Sequence, residues 1–90
     1  MLRFRVHALR RMFDRGITVV DVQQALATGD TIREYSGDRP YPSRLVLGWS
    51  GDRPIHVLAA DDPSSSLTVV ITAYEPDSAR WEPGFRRRRR

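Results

Sequence analysis

Helical periodicity is confined to the first third of this chain, which limits the fold to one in which helices precede strands. Residues 7–15 place apolar side chains at helical spacing, and this predicts a first helix that ends at Gly16. We expect its buried face to comprise Leu9, Met12 and Phe13. The first helix therefore needs a partner surface that covers these side chains.

A second helix is predicted to begin directly after Thr18. This residue can cap the helix, and Asp21 stands at the third helical position, as a capping box requires. Gly29 is expected to end the helix. Its buried stripe is predicted to comprise Val19, Val22 and Leu26. The first third of the chain is thus expected to form a helical hairpin.

The rest of the chain is typical of β-strands joined by turns. Four runs rich in β-branched and aromatic residues predict strands at 31–35, 43–49, 55–60 and 67–74. The links between them carry glycine, aspartate, proline and serine, and short links favour antiparallel pairing. The predicted fold class is α+β, with the N-terminal helical hairpin packed on one face of a roughly four-stranded antiparallel sheet. Residues 1–85 are expected to form a single domain, and residues 86–90 a basic tail.

Positive charge is concentrated at the two ends of the chain. All fifteen cationic residues are arginines, against eleven acidic residues, which gives a formal net charge of +4. Five arginines lie within residues 1–15 and five form residues 86–90, whereas residues 16–85 carry five arginines and ten acids. If the two ends meet in the folded protein, they form one cationic patch that can hold a polyanion such as nucleic acid.

Several classes of protein are disfavoured by what the sequence does not contain. Without cysteine there are neither disulfides nor thiolate metal sites, which fits a reducing compartment. No apolar run approaches the ~18 residues that span a bilayer, and the first residues are not those of a signal peptide. We therefore expect a cytoplasmic protein with no membrane association. There is no glycine-rich phosphate loop and no cluster of metal ligands, so neither a cofactor nor a metal is expected.

The two histidines, His7 and His56, are the candidates for acid–base chemistry because the imidazole pKa lies near physiological pH. His7 stands at the head of the first helix. If Ile55 and Val57 face the core, His56 lies on the other face of the sheet, where a substrate can bind. Each also has an ordinary structural interpretation, since a histidine at a helix start is often a surface residue and one in a strand is often a solvated partner.

Arginine and tyrosine supply the candidate contacts to a nucleic acid. Tyr74, in the strongest predicted strand, can orient a phosphate or stack on a base, but it can equally be a core aromatic residue with a hydrated hydroxyl. Arginine suits bidentate contacts to phosphate. The predicted phosphate-binding residues are Arg10, Arg11, Arg44, Arg86, Arg87 and Arg88.

Several blocks of the sequence, taken in combination, resemble one known family. They are His7-Ala-Leu-x-Arg-Met12, Arg39-Pro-Tyr-Pro-Ser-Arg-Leu-Val-Leu-Gly48, Arg53-Pro-Ile-His56-Val and Ile71-Thr-x-Tyr-Glu-Pro-Asp77, together with Trp81 and the terminal arginines. They are similar to the bacterial domain of unknown function 4258 family. The resemblance implies a fold like that of the RelE-like ribonucleases. It also implies a toxin of a type II toxin–antitoxin pair, with a zinc-finger antitoxin as a partner.

The function predicted from charge and resemblance is metal-independent cleavage of RNA or of ribosome-bound message. His7, His56 and Tyr74 would be the catalytic residues, and the arginines would hold the phosphates. One alternative is a non-catalytic module that grips nucleic acid by charge alone. Another is a protein-interaction module that binds through an exposed sheet edge, with the arginine run as a solubilising tail.

Overall fold

A computed structural model describes all of residues 1–90. The elements in chain order are β1 (Leu2–Phe4), α1 (Val6–Arg15), α2 (Val19–Thr28), β2 (Asp30–Tyr35), β3 (Ser43–Ser50), β4 (Arg53–Asp61) and β5 (Thr68–Tyr74). The strands form one sheet in the order β1-β5-β4-β3-β2. This confirms the α+β class and the order of helices before the main strands.

The sheet differs from the expected one in having five strands and mixed pairing. Strands β2 to β5 pair antiparallel with their neighbours in sequence, as the short links predict. The additional strand β1 pairs in parallel with β5, where Leu2 lies opposite Thr68. Three residues are too few to display an alternating pattern, so the sequence carries no local signal for β1. The expected antiparallel sheet of roughly four strands is therefore confirmed for β2 to β5, and the parallel fifth strand β1 corrects it.

The structure contains the predicted helix-ending residue of α1 and the predicted capping box at the start of α2. Gly16 follows α1 in the left-handed conformation, with φ of 65°, and its N–H donates to the carbonyls of Met12 and Phe13. At the start of α2, the Thr18 hydroxyl accepts from the Asp21 N–H at 3.0 Å, and the Asp21 carboxylate accepts from the Thr18 N–H at 2.9 Å. This capping box lowers the pKa of the Asp21 carboxyl, chiefly through the hydrogen bond from the Thr18 backbone.

The buried faces of the helices are turned from those predicted. On α1 the residues in the core are Ala8 and Met12, whereas Leu9 is 44% exposed and Phe13 is 87% exposed. On α2 the core residues are Val22 and Ala25, with Leu26 partly buried and Val19 exposed. Of the predicted stripes, Met12 and Val22 are buried as expected and Leu26 is partly buried. Leu9, Phe13 and Val19 are exposed instead, because the small residues Ala8 and Ala25 mark the sides on which the helices approach the sheet most closely.

The core lies between the two helices and one face of the sheet. From the sheet it takes Ile55, Val57 and Ala59 of β4 and Val70 and Ala73 of β5. Because side chains alternate along a strand, the intervening residues of β4, including His56, lie on the opposite face. This confirms the expected orientation of His56.

The approach of α2 to β3 is close enough to require glycine on the strand. A Cβ atom at Gly48 would overlap the Cα and Cβ atoms of Ala25 on α2. The backbones would then have to separate, which would loosen the contact between helix and sheet along its length.

Substitution Gly48→Ala is expected to destabilise the protein by about 1–3 kcal/mol, since overpacking of a fixed contact costs this much. The free energy of unfolding from urea titration measures the loss. Gly37→Ala is the matched control, because a Cβ atom at Gly37 meets nothing within 4 Å. Equal stability of the two variants would contradict the proposed contact.

Candidate functional site

The residues after β5 fold back over the sheet face opposite the helices and do not form a free tail. We call residues 75–90 the C-terminal segment. Within it Trp81 bridges Arg88 in antiparallel fashion, the Glu82 N–H donates to the Arg87 carbonyl, and the Arg89 N–H donates to the Arg80 carbonyl, both at 2.8 Å. The arginine run thus forms the return arm of a small hairpin.

This hairpin encloses His56. The imidazole is fully buried and meets Trp81 edge-on at a ring-centroid distance of 4.5 Å and Tyr74 at 5.3 Å. Its Nε2 lies 2.8 Å from the Phe85 carbonyl oxygen, and its Nδ1 lies 3.3 Å from the Tyr74 hydroxyl. A carbonyl can only accept, so Nε2 carries the proton, and the Nδ1 lone pair is left to accept from Tyr74.

The protonation states of this pair follow from their burial. Loss of water around the ring lowers the pKa of His56, although the Phe85 carbonyl partly opposes the shift. Burial likewise raises the pKa of the Tyr74 hydroxyl. At neutral pH both groups are therefore uncharged, which is the pairing that a tyrosine-to-imidazole hydrogen bond requires.

Phe85 supplies its carbonyl from an unusual backbone position. Its φ is 61°, in the left-handed region that non-glycine residues rarely occupy, and it follows Gly84 with φ of 89°. Such a conformation persists only where surrounding contacts hold it. Here the contacts are the hydrogen bond from His56 and the edge-on packing of the Phe85 ring against Trp49.

Beside the enclosed histidine, a cleft of about 460 Å³ opens between α1 and the C-terminal segment. One wall comes from α1, where Arg11 and Arg15 are one turn apart on the same face. The other wall comes from Arg80 and Arg88 of the C-terminal segment, and Tyr74 also lines the cleft. The two basic ends of the chain therefore do meet in space, through these four arginines.

The acidic residues of the cleft are already engaged elsewhere. Glu75 accepts from Arg53 Nε at 2.6 Å, and Arg53 also donates to the carbonyls of Arg15 and Gly16 at the end of α1. Asp77 accepts from the Ala79 N–H at 2.9 Å and so holds the turn that leads to Arg80. Four arginines against these two carboxylates leave the cleft with a net positive charge.

The remaining predicted phosphate-binding arginines lie elsewhere. Arg44 pairs with Asp61 at 2.8 Å, and this hydrogen bond is the main cause of the lowered pKa of the Asp61 carboxyl. Arg86 pairs with Asp30 at 3.0 Å. Arg10 and Arg87 are exposed and line no part of the cleft. Of the six predicted residues, only Arg11 and Arg88 reach the cleft.

The structure does not bring the two histidines together. His7 is exposed in the first turn of α1, where its side chain makes no hydrogen bond, whereas His56 is enclosed by the C-terminal segment. His7 precedes Arg11 by four residues, so it continues the row of side chains that leads into the cleft. The sheet face around His56 was expected to be partly open. Trp81 covers the imidazole itself, while the same face remains open beside Tyr35 and Leu58.

Sequence reasoning missed two of the four cleft arginines, Arg15 and Arg80. For Arg15 a signal was present, since the spacing of four residues from Arg11 places both on one helix face. For Arg80 no local signal exists, because its position depends on how the C-terminal segment folds back. No group of three or more histidine or acidic side chains that could hold a metal ion forms in the structure. Neither helix has the length and apolar content to cross a membrane.

Residues 4–75 match the family model described as Domain of unknown function (DUF4258). The chain belongs to this family. The match confirms the resemblance seen in the sequence blocks up to Glu75, and it ends where the C-terminal segment begins. No curated protein and no solved structure matches the chain. The cleft thus combines Arg11, Arg15 and Tyr74 from the DUF4258 region with arginines that lie beyond it.

The buried, neutral His56 makes stability depend on pH. The folded-state pKa of His56 lies below the ordinary value of 6.5. On acidification His56 is therefore protonated in the unfolded chain at a higher pH than in the folded protein, and this favours unfolding. Stability is therefore expected to be full well above pH 6.5 and to fall as the pH drops below 6.5. One such group contributes at most about 1.4 kcal/mol per pH unit.

Urea titrations between pH 7.5 and 5 measure this slope, and the variants His56→Gln and His7→Gln separate the two histidines. We expect His56→Gln to flatten the dependence and His7→Gln to retain it. The same slope in wild type and His56→Gln would show that the buried ring is not its source.

Proposed function

We propose that this domain binds the phosphodiester backbone of RNA in the cleft between α1 and the C-terminal segment and cleaves it without a metal. The observation that carries the proposal is the convergence of Arg11, Arg15, Arg80 and Arg88 around the Tyr74 side chain. Guanidinium groups bind phosphate oxygens in bidentate fashion and remain charged at every physiological pH. A cleft with four of them suits a ligand that carries successive negative charges.

The chemistry proposed is attack of a ribose 2′-hydroxyl on the adjacent phosphorus. The 2′-oxygen forms a bond to phosphorus, the bond to the 5′-oxygen breaks, and the products are a 2′,3′-cyclic phosphate and a 5′-hydroxyl. One group must take the proton of the 2′-hydroxyl and another must protonate the leaving oxygen. The arginines stabilise the charge that builds up on the phosphate oxygens.

Tyr74 is the proposed proton donor. It lines the cleft, and burial raises its pKa, so it keeps its proton at neutral pH. His56 does not line the cleft, so we assign it a positioning role: its Nδ1 accepts from the Tyr74 hydroxyl in the free protein and holds that oxygen in place. On binding RNA, the single O–H of Tyr74 would turn from Nδ1 to the leaving 5′-oxygen. His7 lies one turn before Arg11 on the same face of α1 and outside the cleft lining. It is the proposed acceptor of the 2′-hydroxyl proton for RNA that extends from the cleft along α1.

The biological role that we propose is that of a toxin in a type II toxin–antitoxin pair, with a zinc-finger antitoxin as partner and a RelE-like relation. Its support is the family resemblance and the order of elements, in which a helical hairpin precedes an antiparallel sheet. Bound antitoxin would reduce cleavage by covering the cationic cleft.

A second candidate is RNA binding without cleavage. It is favoured by the enclosure of His56, which leaves no histidine in contact with the cleft itself. In that case charge alone would carry the affinity, and RNA and DNA single strands of equal length would bind alike. Measurements of RNA affinity and of RNA cleavage, made on separate sets of variants, distinguish the two functions.

Arg11→Gln and Arg15→Gln are each expected to weaken binding of a single-stranded RNA and to lower the salt dependence of the affinity. Loss of one phosphate contact reduces the slope of log K against log salt by about 0.7 for a single strand. Fluorescence anisotropy with a labelled oligonucleotide measures both quantities. The matched control is Arg10→Gln, on the same helix outside the cleft, and an equal loss in this variant would contradict the assigned site.

Tyr74→Phe is expected to slow RNA cleavage about a hundred-fold to ten-thousand-fold, since it removes a general acid and keeps the ring. Cleavage is followed in the presence of a chelator, with the 2′,3′-cyclic phosphate as the diagnostic product. Tyr41→Phe, outside the cleft, serves as the control and should cleave like the wild type.

The same pair of variants tests the toxin role in cells. Induced wild type should arrest bacterial growth, and Tyr74→Phe at equal protein level should not. If wild-type protein binds RNA but forms no cyclic phosphate product, the nuclease function is refuted and RNA binding without cleavage replaces it.

A further inference from the structure

A second pocket, of about 340 Å³, adjoins the cationic cleft on the sheet face opposite the helices. Leu45 and Leu58 form its apolar part, and Tyr35 lies at its β2 side. Its volume falls at the lower end of the range for small-molecule sites, which is roughly 300–1,000 Å³. The pocket is thus large enough for one flat ring system and too small for a folded peptide element.

Three aromatic side chains, those of Tyr35, Tyr74 and Trp81, line this pocket. The guanidinium carbon of Arg88 lies 5.9 Å from the centre of the Trp81 ring, so the planar guanidinium group lies beside these aromatic rings. Unpaired bases of RNA stack on aromatic rings and on arginine planes, and this preference is shared by all four bases. The lining therefore matches a nucleobase better than an aliphatic ligand.

The pocket also contains polar groups that a base edge can engage. Arg33 offers donors at the rim, and Asp38 offers carboxylate oxygens. Nucleobases present both donors and acceptors on their edges, so this mixed set suits them.

Tyr74, Trp81 and Arg88 line both the pocket and the cationic cleft. A single nucleotide can therefore place its base in the pocket and its phosphate among the arginines. We infer that the pocket receives one unpaired nucleobase and that the ligand of this site is single-stranded RNA. The inference rests on the proposed function, because it uses the same cleft for the phosphates. A paired base inside a duplex stays stacked and cannot enter.

The test compares three ligands, and the affinity of each is normalised to its phosphate count. They are a 2′-O-methyl RNA hexamer, whose 2′-oxygen cannot attack, a hexamer of tetrahydrofuran spacers that has phosphates and no bases, and a short 2′-O-methyl duplex. The hexamer is expected to bind wild-type protein about five-fold to a hundred-fold more tightly than the spacer chain, which is the gain from one stacked base. The duplex should bind no more tightly than the spacer chain.

Tyr35→Ala is expected to reduce the preference for the hexamer over the spacer chain at least several-fold, while the affinity for the spacer chain stays the same. Tyr41→Ala is the matched control, since Tyr41 does not line the pocket, and it should keep the full preference. Circular dichroism and thermal unfolding establish that both variants are folded.

The outcomes separate this inference from the proposed function. If hexamer and spacer chain bind wild-type protein equally well, or if the duplex binds as tightly as the hexamer, the base pocket is refuted while phosphate binding in the cleft stands. If the spacer chain does not bind at all, the cationic cleft is refuted as well. Retention of the full preference by Tyr35→Ala would also overturn the inference.

Discussion

The hydrogen bond from His56 to the Phe85 carbonyl joins the sheet to the C-terminal segment, and the candidate site depends on it. Residues 75–90 belong to no strand of the sheet. They are held over the face opposite the helices by this bond, by Trp81 packed against the imidazole, by Phe85 packed against Trp49, and by the ion pairs of Glu75 and Arg86. The bond requires a neutral ring with its proton on Nε2, which burial favours. In this arrangement Arg80 and Arg88 face the arginines of α1 across the cleft.

The net charge of +4 does not show which arginines are free to bind an external anion and which are already paired with carboxylates. Three arginines, Arg44, Arg53 and Arg86, are bound to carboxylates on other parts of the surface. Exposed pairs of this kind add little to stability, about 0–1 kcal/mol each, but they remove those cations from competition for an external anion. Arg53 does more, since it also binds carbonyls at the end of α1 and so fixes the position of Arg15.

The sequence predicts local features of this fold well and tertiary ones less well. Short-range spacing predicts the capping box of α2 and the position of His56 on the sheet face opposite the core, and both are confirmed. The exposure of Phe13 could not be foreseen, because which face of α1 is buried depends on its approach to β5. The cleft could be predicted in part, through Arg11 and Arg88. Tyr74 was also a predicted site residue, and the spacing of Arg15 from Arg11 carries a signal for a further member. Arg80 depends on the fold of the C-terminal segment, for which periodicity gives no signal.

The parallel pairing of β1 with β5 has a consequence for the order in which the protein forms. Strand β5 lies between β1 and β4, so the first three-residue strand has no partner until the last strand of the sheet has been synthesised. Contacts between residues so far apart in sequence close late in folding, and during synthesis they must wait for the end of the chain. The helices and the hairpin of β3 and β4 can form on the nascent chain, whereas the cleft needs β5 and everything after it. A chain interrupted during translation would therefore lack the site altogether.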